Sequence, residues 1–96
     1  FAQSFVRGKH NYKFWGKNRI VNELKFRNIS SRNIQTALKE IPEATYLHNF
    51  HTLAEKNWET ITERKGPKKN KKFVDFLLRK GYETSLIYEK LNELDN

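Results

Sequence analysis

The residues of this chain best equipped for chemistry are cations set among aromatics, in two short clusters. Arg7, Lys9, Lys13, Lys17 and Arg19 surround Tyr12, Phe14 and Trp15 in the first, and Arg64, Lys65, Lys68, Lys69, Lys71 and Lys72 crowd the second. Cations at this density neutralise phosphates and gain from counterion release, while interleaved rings can stack on bases. The chemistry on offer is capture of an anionic partner. These basic residues, with Trp15, are its candidates. A solvated corner is often basic for no further reason, but recurrence of the clusters at corresponding positions favours a partner. For Trp15 alone, covering the core is preferred to stacking.

Other chemistry finds little support. His48 and His51 stand three apart, so their rings could share a metal, but no third ligand has obvious spacing and ordinary histidines are preferred. Glu55, Glu59 and Glu63 follow at steps of four and read as a solvated helix ridge, which could face a basic partner. There is no cysteine and hence no thiol nucleophile, disulfide or thiolate metal site, which fits a reducing, cytoplasmic setting. The four glycines are isolated and form no phosphate loop, and no carboxylate–histidine set is clustered. We expect a binding protein, not an enzyme, with no cofactor and no metal.

The elements that must position the cations come from a duplication. A shift of 53 positions superposes Ile20 on Phe73, Val21 on Val74, Leu24 on Leu77, Ile29 on Tyr82, Ile34 on Ile87, Leu38 on Leu91 and Ile41 on Leu94, apolar on apolar throughout. Each copy reads as a helix, a corner and a second helix, with Asn28 and Gly81 at equivalent corners. These are the two residue types that most readily take the left-handed conformation closing a helix. Ser30 is placed to cap the helix carrying Ile34, Ala37, Leu38 and Ile41. A further helix precedes each pair. One carries Phe1 and Phe5, the other Leu47, Phe50, Ala54, Trp58 and Ile61, with Trp58 answering Phe5.

The spacing predicts an all-α fold of two tandem three-helix repeats, residues 1–42 and 43–96, forming an elongated, slightly curved array. Helices are expected near 1–12, 17–27, 31–41, 45–64, 69–80 and 84–94. Gly16 and the pair Gly66-Pro67 should break the connectors, and no alternation suggests a strand. The net charge of +8 is divided with the fold: residues 1–35 hold eight Lys/Arg against one acid, 36–63 two against five, 64–80 eight against one, and 81–96 one against four. No apolar run suits a bilayer and no signal peptide is visible, so a soluble monomer without membrane contact is expected. The chain has no initiating Met and opens abruptly on helical FAQSFV, which reads as a piece of a longer protein. The third helix exposes Arg32, Asn33, Gln35, Thr36, Lys39 and Glu40, too weakly basic a set for major-groove reading.

FAQSFVR, then Gly16-Lys17-Asn18-Arg19-Ile20, Glu23-Leu24, Asn28-Ile29-Ser30 and Ile34 with Ala37-Leu38 resemble the second repeat of the RecX family of bacterial recombination regulators. Lys72-Phe73, Phe76-Leu77, Arg79-Lys80-Gly81-Tyr82 and Ile87 with Leu91 resemble its third repeat. The likeness covers nearly the whole chain and resides in the ordered set. It implies a protein of three tandem three-helix repeats, the first missing here, that lodges in the groove of RecA filaments. It further implies inhibition of RecA's ATPase, strand-exchange and coprotease functions, within DNA repair, the SOS response and homologous recombination. Some members also bind DNA, single- or double-stranded. Arg27-Asn28 departs from the Lys-Gly common at the family's corner, which Asn tolerates, and a missing repeat implies a shorter reach. The rival expectation is a basic DNA-binding module acting without RecA, and a third is a scaffold whose charges only keep it in solution.

Overall fold

The computed structural model describes all residues from Phe1 to Asn96. Six helices follow one another with no strand: α1 (Ala2–Lys13), α2 (Lys17–Phe26), α3 (Ser31–Leu38), α4 (Glu43–Thr60), α5 (Pro67–Lys80) and α6 (Thr84–Asp95). Helix packs on helix within α1–α3 and within α4–α6. The molecule measures 43 × 24 × 20 Å with a radius of gyration of 14.3 Å. A compact chain of this length would have about 12.5 Å, so the array is elongated.

The corners form as their residues dictate. Asn28 (φ 64°) and Gly81 (φ 100°) both sit in the left-handed region. In each copy the next amide reaches back to the equivalent carbonyl, Ile29 N–H to Leu24 O at 3.0 Å and Tyr82 N–H to Leu77 O at 3.1 Å. Ser30 Oγ accepts from Asn33 N–H at 3.2 Å, capping α3. The superposed pairs Ile20/Phe73, Leu24/Leu77 and Ile34/Ile87 are all essentially fully buried. Each such side chain contributes about 1.5–3 kcal/mol.

Helices α3, α4 and α5 differ from expectation at four boundaries. α3 stops at Leu38, and Lys39, Glu40 and Ile41 close it with tighter i−3 bonds. Pro42 disfavours helical backbone at Ile41, and with its carbonyl accepting from Tyr46 N–H it starts α4 early. At its far end α4 stops at Thr60, where Ile61 turns extended. α5 begins at Pro67 itself, because proline in the first helical position sacrifices an amide that would have no partner anyway.

The two triplets share one core across a polar seam. The connector Phe14–Gly16 lies on the α5–α6 corner, with Gly16 N–H donating to Lys80 O at 2.7 Å and Asn18 N–H to Gly81 O at 2.9 Å. Lys17 N–H donates to Tyr46 Oη at 2.9 Å, and Tyr46 Oη donates to Glu83 Oε1 at 2.5 Å. The first amides of α2, which has no side-chain cap, are thus satisfied by the second triplet. Beneath them His10, Tyr46, Tyr82 and Phe50 form a run of rings with successive centroids 5.1, 5.6 and 5.0 Å apart. Of the expected α4 face, Phe50, Ala54 and Trp58 are buried, while Tyr46 takes the inward place expected of Leu47, which is half-buried.

His10 is fully buried, its Nδ1 3.0 Å from Trp15 O and its Nε2 3.1 Å from the Asn49 amide. A carbonyl only accepts, so Nδ1 carries the proton and Nε2 accepts from Asn49. Burial holds the imidazole below its ordinary value against the bond to Trp15, and the Lys17 charge adds to the lowering. The unfolded chain therefore binds a proton that the fold resists. Stability is complete above about pH 6.5 and declines as pH falls through that range toward the lower folded value. Thermal unfolding should show a midpoint lower at about pH 5.5 than at about pH 7.5, and a shallower difference in His10→Gln. An equal difference in the variant would assign the effect elsewhere.

Candidate polyanion interface

The first basic cluster is sorted by the fold into spent and available charge. Arg7 reaches across to the turn after α3 and pairs with Glu40 at 2.5 Å, while Lys17 lies 4.4 Å over the Tyr46 ring and pairs with Glu43 at 3.3 Å. Lys9 and Arg19 both lie against the Trp15 ring, at 4.8 and 4.1 Å. Trp15 also meets Phe5 edge-on at 6.2 Å and packs on the core. A base has little of that ring left to stack on. Tyr12, by contrast, is 85% exposed beside Lys13.

The second cluster occupies the opposite end of α5. Lys72 pairs with Glu63, Lys71 pairs with Asp75 at 2.8 Å, and Lys69 lies 4.2 Å over Trp58. Arg64, Lys65 and Lys68 are exposed with no carboxylate in ion-pair range. The expected acidic ridge is largely consumed. Glu63 goes to Lys72, and Glu55 lies 2.7 Å from the buried Lys90, leaving only Glu59 free. The bonds from Lys72 and Lys90 pull these two carboxyls below their usual range. His48 is exposed and His51 half-buried on α4, and no group of three ligating side chains is brought together anywhere.

Arg79 and Lys80, absent from both expected clusters, are carried by the seam to the first one. Arg19 Nη1 donates to Arg79 O at 3.1 Å and Lys80 Nζ donates to Lys13 O at 2.9 Å. Burial lowers the Lys80 ammonium, and the Arg19 and Lys13 charges push it the same way. A notch of about 260 Å³ is lined by Arg19, Phe76, Arg79 and Lys80. It shares Phe76 and Arg79 with a groove that continues past Asp75 to Lys72. From Lys80 to Lys72 is about 12 Å along the helix. The two expected clusters thus sit at the two ends of α5, joined along one of its faces. Nothing in the sequence announces this, because Lys13 and Lys80 meet only once the triplets dock.

Comparison with known proteins places this arrangement. The family model described as RecX, second three-helix domain, matches residues 1–38, and that described as RecX, third three-helix domain, matches residues 44–91. The chain is 32% identical over 95 residues to the "Regulatory protein RecX" of Clostridioides difficile (strain 630), covering 99% of this chain and 45% of that protein. It thus spans about half the length of that curated relative. No solved structure matches. With two tandem helix triplets in the order and positions of those two domains, the chain belongs to the RecX family of regulatory proteins.

Proposed function

We propose that this chain regulates RecA by lodging in the groove of the RecA–DNA filament, with its basic face toward the filament's anionic surface, and that occupancy inhibits ATP hydrolysis and strand exchange. The observation that carries the reading is the gathering of Lys13, Arg19, Arg79 and Lys80 at one end of α5, with no carboxylate in ion-pair range, on an elongated body of net charge +8. The name of the relative, a regulatory protein, supports it. Such a mechanism needs no catalytic group. It acts by filling the groove and resisting the filament's conformational cycle, as a monomer in the cytoplasm.

The second reading, a module that binds DNA without RecA, draws on the same cations. Fluorescence anisotropy on a labelled single strand, bare and coated with RecA, separates the two. We expect tighter binding to the coated strand. Equal affinity for both would hand the function to the second reading.

A further inference from the structure

Four cations converge at the seam from two different triplets: Lys13 and Arg19 from the first, Arg79 and Lys80 from the second. None has a carboxylate within ion-pair distance, whereas Arg7, Lys17, Arg27, Lys71, Lys72 and Lys90 all do. Two of the four are held in place with donors to spare. Arg19 is fixed by Trp15 at 4.1 Å and by one bond to Arg79 O, leaving most of its five N–H groups unused. Lys80 gives one proton to Lys13 O and keeps two. Crowding like charges with their donors free raises the energy of the empty seam, and an anion relieves it.

We propose that the seam is a composite phosphate-binding site for the sugar–phosphate backbone of nucleic acid, built from Lys13 and Arg19 of one triplet and Arg79 and Lys80 of the other, and whole only while the triplets are docked. Its flanks favour nucleic acid over an acidic peptide. Phe76 lies half-buried in the same notch and Tyr12 stands exposed beside Lys13, so rings are available next to the cations. The inference deepens the filament reading by naming where the DNA within the filament touches the chain.

The test uses bare single-stranded DNA, so its outcome is independent of whether RecA is the partner. Anisotropy titrations at several salt concentrations would compare the chain with three variants. Lys13→Gln with Arg79→Gln removes two side chains that make no bond of their own within the fold. Arg32→Gln with Lys39→Gln removes the same charge from exposed positions on α3 and at its C-terminal cap. Gly16→Ala leaves the charge untouched and forces the triplets apart. The seam pair should weaken binding about tenfold and reduce the log–log salt slope by about 1.4, two contacts at roughly 0.7 each. The α3 pair should change the slope little. Gly16→Ala should bind as weakly as the seam pair, or unfold, in which case the seam pair alone decides. Wild-type affinity and slope in the seam pair would overturn the site. Wild-type affinity in a folded Gly16→Ala whose seam amides exchange freely would overturn its composite nature. RecA-dependent ATP hydrolysis, followed separately, reports on the filament reading and can fail or succeed without moving either result.

Discussion

Replacing Gly16 with alanine should destabilise the chain by at least about 3 kcal/mol, although the substitution adds one methyl group. The added Cβ would stand 2.4 Å from the Gly81 carbonyl carbon and oxygen and 2.5 Å from Tyr82 N, all backbone atoms that cannot rotate aside. Gly16 has φ −77°, an ordinary value for alanine, so the cost is collision and not conformational strain. Relief requires the connector to lift from the α5–α6 corner. That breaks the bonds from Gly16 and Asn18 to Lys80 and Gly81, each worth about 1 kcal/mol, and parts the ring run beneath. Gly8→Ala is the internal control. It lies inside α1 with nothing within 4 Å of its added Cβ, and should stabilise by about 0.5–1 kcal/mol. Thermal unfolding of the two variants should move in opposite directions, by on the order of 15 °C downward for Gly16→Ala. An unchanged midpoint for Gly16→Ala would mean that the triplets are not docked through these backbones.

The second large effect concerns binding. Reversing Lys68, Lys69, Lys71 and Lys72 together to glutamate takes the net charge from +8 to zero. Affinity for RecA-coated single strands should fall about a hundredfold and its salt dependence flatten. Part of that loss would be local. Lys71 and Lys72 hold Asp75 and Glu63, and glutamates there would face like charge. The glutamine version of the same four positions removes this repulsion and should keep most of the effect. An unchanged salt slope in the glutamine version would remove this end of α5 from the interface. The seam cations should weigh more per residue, because Lys13, Arg19, Arg79 and Lys80 are not neutralised within the fold.

The repeat was legible because its signals are local. Apolar spacing at a fixed offset, Ser30 before α3, and Asn28 and Gly81 at the corners act through their own backbone or one face of one helix, and each behaves in the structure as its chemistry requires. What was not legible depends on docking. Nothing in the spacing marks Tyr46 as core, because its hydroxyl is satisfied only when its partners, Lys17 N–H and Glu83, are brought from two other elements. His10 is buried only because its two partners come from the connector and from α4. Arg79 and Lys80 lie some 60 positions from Arg19 and Lys13, so no spacing rule could join them. Lys90 lies among acids in the sequence, yet it is buried. Burial pulls its ammonium down, but the bonds to Glu55 and Glu93 outweigh that and raise it.

Steady-state ATP hydrolysis by RecA on single-stranded DNA, with this chain titrated in, tests the account most directly. Hydrolysis should fall as the chain saturates the filament, and the fall should be lost in parallel with filament binding when Lys13 and Arg79 are changed to glutamine. Hydrolysis that stays constant while anisotropy reports a saturated filament would contradict the account.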